Sequence, residues 1–234
     1  MKRAFDLLAA LVGLMLLAPI LLVFIFLIWR QDYHSPFYIA KRVGRNGREF
    51  NMVKLRSMVK NADKSGVDST SSDDMRITSV GHFVRKFKLD ELMQLWNVLL
   101  GDMSLVGPRP NVKRETDLYT HSEKKLLTVK PGITDIASIV FSDEGDILFG
   151  KEDADISYHQ LIRPGKSKLG LFYISRSGFW FDFYLVLLTV LAIISKPMAL
   201  RLLKSKMWKL NASKELISIA SRSQELVPSP PQVQ

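Results

Sequence analysis

Asp90, Glu91 and Arg109 are the residues whose types and spacing are best suited to chemistry. Two adjacent carboxylates open a leucine-rich stretch, and the arginine stands between Pro108 and Pro110. Leu89, Leu92, Leu95, Trp96 and Leu99 recur at helical spacing, which predicts an amphipathic helix from Asp90 to Leu100 that stops at Gly101. The two acids then occupy the first turn, where free N–H groups and the helix dipole favour negative charge. Taken alone, such a pair reads as an ordinary cap and its neighbour. Arg109 changes the balance. Proline fixes its own φ and restricts the residue before it, so the arginine has little backbone freedom. Acids at a helix start, a rigid cation and further basic residues upstream point to an anionic substrate reached with a metal ion.

The run Leu89-Asp-Glu-Leu-Met-Gln-Leu-Trp-Asn-Val-Leu-Leu-Gly-Asp-Met-Ser-Leu-Val-Gly-Pro-Arg-Pro110 resembles the signature of the bacterial sugar transferases. These are monotopic polyprenyl-phosphate phosphoglycosyl transferases, here of the small single-domain type. The resemblance extends from residue 2 to about residue 195. It implies transfer of a phosphosugar from a UDP-sugar to polyprenyl (undecaprenyl) phosphate with release of UMP, as the first membrane step of a glycan or glycoconjugate pathway. It implies Asp90 as nucleophile and Mg²⁺ ligand, forming an aspartyl-phosphosugar, with Glu91 completing the catalytic pair and Mg²⁺ as cofactor. Arg85, Arg109, Lys54 and Arg56 are the expected phosphate-binding residues. Lys88 and Met93 replace a small hydroxyl residue and a proline common in the family. Asp135-Ile136 replaces a usual Gly-Trp, with expected effects on sugar recognition or membrane contact.

The elements that must position these groups follow from composition and pattern. The 234-residue chain carries a net charge of +10 and a pI near 9.7, which suits phosphorylated substrates or anionic membrane surfaces. It has no cysteine, so disulfides, thiol nucleophiles and cysteine-ligated zinc are excluded. Four scattered histidines have no metal-ligand spacing. Leu7 to Trp29 is uncharged and long enough to cross a bilayer. Basic residues flank both ends, and the positive-inside rule keeps both flanks in the cytoplasm. A re-entrant helix bent at Ala18-Pro19 meets that demand, and a plain span with a tolerated proline is the alternative. The resemblance favours the bend, although the family's usual Ser-Pro is Ala-Pro here.

Residues 37–58 read as a β-hairpin turning at Asn46-Gly47, with Lys54 and Arg56 on one face. Lys60 to Asp74 reads as a polar loop that could flank the site, and Gly81 to Lys86 as a short basic helix. Asn111 to Val129 reads as helical, Lys130 to Thr134 as a turn, and the six acids of residues 143–155 as a solvated loop. Phe183 to Ser195 is a short apolar run, and Met198 to Lys209 places basic residues among leucines, as in a helix on anionic lipid. The tail from Ser221 reads as disordered.

The fold class expected is therefore α+β. A mostly helical cytoplasmic domain carries a small β-hairpin, an N-terminal re-entrant membrane helix and interfacial amphipathic helices. The domains expected are 1–30 (membrane helix), 31–196 (catalytic) and 197–234 (basic segment and tail), at the bacterial inner membrane. Partners are the UDP-sugar, polyprenyl phosphate and membrane lipids, with no nucleic acid; a homodimer is left open. Two other readings are a non-catalytic basic membrane-surface binding protein, which survives Asp90→Asn, and a sugar-nucleotide pyrophosphate hydrolase, which needs no lipid acceptor.

Overall fold

Lys2 to Asp32 form one helix, α1, because the run is rich in leucine and alanine and its backbone polar groups pair internally. Pro19 lies inside it, and Tyr33 in the left-handed region (φ 55°) ends it. The computed structural model describes residues 1–65 and 69–228. After α1 comes an antiparallel hairpin, β1 (Phe37–Val43) and β2 (Glu49–Leu55), in the register Phe37↔Leu55 to Val43↔Glu49. Asn46 and Gly47 take positive φ in its turn, as the dipeptide requires.

Helix α2 (Ser79–Lys86) is capped by the Thr78 hydroxyl, which accepts from Gly81 N at 3.0 Å. The chain then turns sharply at Lys88, a non-glycine residue at φ 56°. The helix expected from Asp90 to Leu100 is two pieces, α3 (Leu89–Leu92) and α4 (Gln94–Leu100). Near Met93 the bonding tightens to three-residue spacing, with Trp96 N donating to Met93 O at 3.0 Å. Gly101, φ 96°, ends α4 as expected.

Strand β3 (Ser104–Val106) leads to Arg109. The stretch expected to be helical from Asn111 to Val129 holds only α5 (Lys113–Asp117) and a 3₁₀ run, Glu123–Thr128. Lys130–Thr134 is not a simple turn. It contains β4 (Gly132–Thr134), which pairs in parallel with β3. Gly107 and Gly132 permit this. A Cβ on Gly132 would lie 2.0 Å from Gly107 N, and one on Gly107 would lie 2.4 Å from Lys130 O.

Helices α6 (Ile136–Val140), α7 (Glu144–Ile147), α8 (Ala154–Ser157) and α9 (Arg163–Arg176) follow. The last three are α10 (Phe179–Ile194), α11 (Lys196–Lys209) and α12 (Lys214–Ser221). Leu169, Leu185, Leu203 and Met207 are fully buried with Val98, Met103, Ile136 and Ile139 in the main core. Helix α11 therefore buries one face in the domain while Met198, Leu202 and Trp208 stay exposed. Ser221 is helical, and Arg222 and Leu226 pack against the domain; the remaining tail call, residues 229–234, lies outside the described residues. Loop 60–74 has a 3₁₀ turn at Ala62–Ser65, and its later part is tied down by Ser69 N to Asp155 and Ser72 N to Gly145 O.

Both ends of α1 are fastened to this one domain. At the N-terminal end, Lys2 pairs with Asp182 on α10, Arg3 donates to Val98 O (2.6 Å), and Asp6 accepts from Ser104 Oγ (2.9 Å). At the other end, Ile28 is buried and Asp32 holds Arg56 at 2.5 and 2.6 Å. Between these anchors most of the helix surface is exposed and apolar, as is much of α10 from Trp180 to Ile194.

The glycine contact yields a test. Gly132→Ala should destabilise the protein by about 3 kcal/mol or more, because backbone and not a flexible side chain stands in the way. Gly150→Ala, at φ 66° in open space, should cost only about 1 kcal/mol. Thermal melts of the two variants in the same membrane mimetic check this, and equal shifts would show that the β3–β4 approach is not tight.

Candidate active site

Asp90 and Glu91 sit where two rigid prongs converge on α3. The first prong is β2. Asn97 of α4, fully buried, accepts from Val53 N (2.9 Å) and donates to Asn51 O (2.7 Å), which fixes the strand against the helix. This places Lys54 Nζ 4.0 Å from Asp90 Oδ2 and 3.9 Å from Glu91 Oε1. The second prong is β3 and the Pro-Arg-Pro segment behind it, held by Gly107 N to Thr134 O and Gly132 N to Pro108 O. From there Arg109 grips Glu91 with two hydrogen bonds, Nη2 to Oε1 at 2.7 Å and Nη1 to Oε2 at 3.2 Å.

The electrostatics divide the two acids. Burial pushes the Glu91 carboxyl up, but Arg109 and Lys54 outweigh it and hold the group well below the usual carboxylate range. Glu91 in turn pushes the Arg109 guanidinium further up. Burial also dominates at Asp90, and with Glu91 beside it the carboxyl is raised in spite of Lys54 and Arg85. Lys54 is lowered to about 8 by burial and then by the charge of Arg109. At an effective dielectric of about 20, unit charges 4 Å apart interact by about 4 kcal/mol, several times an exposed ion pair. One atom is left over: Asp90 Oδ1 is buried with no hydrogen-bond partner among the described residues.

These groups line a cavity of about 1100 Å³. Arg85 reaches it from α2 and makes no ion pair among the described residues, while its charge acts on Asp90. Lys54, Arg85, Asp90, Glu91 and Arg109 are thus brought together. Arg56 lines the same cavity but makes no ion pair with the two acids. Strand β2 ends at Leu55, so the period-two argument fails one residue later, and Arg56 turns instead to Asp32 and to the carbonyl of Ser35 (2.8 Å). Ala18 and Pro19 lie far along α1, inside its helical run.

Two groups of site residues escaped the sequence reading. Asn97 stands in the motif, but nothing in its type announces that it bonds strand backbone. Of the acids expected to form a solvated loop, Asp146, Glu152 and Asp153 are exposed, but Asp143 and Glu144 are not free in solvent. Glu144 faces the cavity paired with Lys166, and Asp143 binds Lys196 (2.7 Å) and Arg222 (3.3 Å). Asp135 and Ile136 are both buried and make no membrane-facing surface. Asp135 caps α6 by accepting from Ser138 N at 2.7 Å.

For a metal, the described residues hold no cluster of three or more acidic or histidine side chains. Mg²⁺ does not need one, because it is commonly held by one or two carboxylates together with substrate phosphates and water. The unpartnered Asp90 Oδ1 fits that requirement.

Comparison with known proteins places the chain in a family. The family model described as bacterial sugar transferase matches residues 1–196. The "UDP-galactose-lipid carrier transferase" of Erwinia amylovora is 43% identical over 149 residues, 57% of this chain and 31% of the relative. The "UDP-N-acetylgalactosamine-undecaprenyl-phosphate N-acetylgalactosaminephosphotransferase" of Aeromonas hydrophila is 33% identical over 201 residues, 83% of this chain and 44% of the relative. The exopolysaccharide production protein ExoY of Sinorhizobium fredii is 37% identical over 175 residues, 68% of this chain and 76% of the relative. The matches thus span less than half of the first two relatives and about three quarters of the third. With the family model matching residues 1–196, most of its length, the chain belongs to the bacterial sugar transferase family.

Proposed function

We propose that the protein transfers a sugar phosphate from a UDP-sugar to undecaprenyl phosphate, releasing UMP, on the cytoplasmic face of the bacterial inner membrane. The observation that carries this reading is Asp90: a buried carboxyl with one unpartnered oxygen, ringed by Lys54, Arg85 and the Arg109–Glu91 pair at a cavity beside an apolar surface.

The problem to be solved is repulsion among a carboxylate, a diphosphate and a lipid phosphate. Lys54 acts as a point charge on phosphate oxygens, and Arg85 and Arg109 offer planar forks. Asp90 would hold Mg²⁺ together with the diphosphate, and the ion would supply further charge neutralisation. An oxygen of Asp90 attacks the sugar-bearing phosphorus, and the bond from that phosphorus to the UMP oxygen breaks, its electrons leaving with UMP. An oxygen of the lipid phosphate then attacks the same phosphorus, and the phosphorus–Asp90 bond breaks to restore the carboxylate. The raised affinity of Asp90 for a proton makes its carboxylate the more basic, stronger nucleophile of the pair. Glu91, ionised and held by Arg109, positions that arginine and is unsuited to carrying a proton near neutral pH.

The anchoring of α1 supports a re-entrant reading. A straight helix of this length is about 46 Å long, and a domain on one side of a bilayer cannot hold both its ends if it spans. A bend at Ala18-Pro19 fits, since proline removes one helical hydrogen bond. The acceptor's phosphate then meets the site at headgroup depth.

Mass spectrometry of the purified protein with Mg²⁺ and UDP-sugars, without acceptor, tests the covalent step. An adduct of one phosphosugar on Asp90 is expected, with Asp90→Asn showing none and losing turnover by about 10³-fold or more. UMP release by Asp90→Asn at wild-type rate would sink the reading.

The Lys54 ammonium is the form that binds phosphate. It is present below pH of about 8 and is lost as pH rises through that value. We expect kcat/KM for the donor, which reports the free enzyme, to fall on the alkaline side near pH 8. Lys54→Arg should move that fall to higher pH; an unmoved profile would assign it to another group.

The absence of cysteine makes topology easy to probe. Single cysteines at Ala4 and His34, both exposed, should react with an impermeant maleimide from the same, cytoplasmic side of membrane vesicles. Reaction from opposite sides would mean that α1 spans.

A further inference from the structure

The cavity has a second charged wall that the phosphate chemistry does not use. Glu144 on α7 pairs with Lys166 on α9, and the Lys166 ammonium lies 5.1 Å from the centroid of the Tyr158 ring. All three line the cavity that holds Asp90 and Arg109. The Glu144 charge acts on Arg109, and Lys88 and Arg109 act on Glu144, so this wall adjoins the reacting position. It is also braced from behind. Asp143, next in the chain to Glu144, is held by Lys196 and by Arg222, whose guanidinium lies 5.4 Å from the Phe141 ring centroid. Arg222 stands beyond residue 196, where the family match ends.

A carboxylate beside Arg109 repels phosphate, so the wall is a poor place for the diphosphate. It is also a poor seat for a uracil ring, because Lys166 lies over the Tyr158 ring and Arg222 over the ring of Phe141. Its chemistry suits neutral hydroxyl and amide groups: Glu144 accepts, Lys166 has donors to spare, and burial keeps the Tyr158 phenol protonated as a donor. In a nucleotide diphosphate sugar the sugar hangs by one oxygen from the phosphorus that is attacked, whereas the nucleoside lies beyond the other phosphorus. We infer that Glu144, Lys166 and Tyr158 form the surface that recognises the donor's sugar and selects among its epimers. This rests on the transferase reading above.

The test uses the full chain in nanodiscs with Mg²⁺, undecaprenyl phosphate and UDP-galactose, UDP-glucose and their two N-acetylamino counterparts. Glu144→Gln and Tyr158→Phe keep size and shape, and thermal melts verify that they fold. Each should lower kcat/KM for the preferred donor by about tenfold or more, the scale of one lost hydrogen bond to a charged or buried group, and narrow its lead over the C4 epimer. Inhibition by UDP should change by less than about twofold, consistent with contacts to the sugar alone. Discrimination unchanged in folded variants would overturn the inference alone. So would UDP inhibition weakened as much as donor use, which would move the nucleoside to this wall. Failure of the wild-type protein to turn over any donor would bring down the transferase reading, and this inference with it.

Discussion

The structure depends on compensating two adjacent carboxylates, Asp90 buried and Glu91 partly so. Isolated, either charge would be costly to bury and would shed its charge by taking up a proton. Here Lys54 comes from a hairpin edge and Arg109 from a parallel strand pair, elements separated in sequence and unrelated in kind. Each must be held to within an ångström or so, and much of the surrounding polar machinery does that. Asn97 bonds the backbone of β2, and the Gly107–Gly132 approach draws the Pro-Arg-Pro segment into place. Flanking prolines limit how far Arg109 can swing.

That polar centre is tied to the apolar exterior through the first six residues. Lys2 reaches Asp182, which also accepts from the Tyr173 hydroxyl at 2.7 Å, while Asp6 binds Ser104 and Leu105 at the start of β3. The strand that delivers Arg109 is therefore bolted to the helix that carries the exposed apolar surface. The site's position relative to that apolar surface is set by short ion pairs and hydrogen bonds and not by a flexible linker. Such coupling suits a reaction in which one substrate is dissolved and the other is confined to lipid.

What could be read from the sequence was what local rules control. The hairpin with its Asn-Gly turn, the stop at Gly101, the long apolar helix and the grouping of Asp90, Glu91, Lys54, Arg85 and Arg109 are legible from patterns and the family motif. Arg56 lines the cavity but is committed to Asp32, because alternation holds only while a strand lasts and β2 stops one residue short of it. Lys130–Thr134 hides a strand because three residues show no periodicity, and its parallel partner lies 28 positions earlier, at Ser104 for Gly132. Glu144 and Asp143 looked solvated because their partners, Lys166 for the one and Lys196 and Arg222 for the other, are brought in by tertiary packing alone. Asp135 looked like a surface or ligand position, yet it is a buried helix cap, a role that residue type allows but spacing cannot assign.

The two acids, Asp90 and Glu91, differ although they are neighbours, and the difference follows from helix geometry. Successive residues on a helix point about 100° apart, so Lys54 stands about equally far from both acids but the Arg109 fork can clamp only one. Arg109 takes both oxygens of Glu91, which is thereby satisfied and held ionised. Asp90 receives only the longer contact to Lys54 and keeps an oxygen with no partner. A buried oxygen without a partner costs free energy unless a ligand meets it. The fold thus concentrates its unmet electrostatic demand on one atom of one side chain, and leaves it lining the cavity. A satisfied pair would make a stable ion-pair network and nothing more. An asymmetric pair makes one acid a support for its arginine and leaves the other free to bind or attack phosphorus.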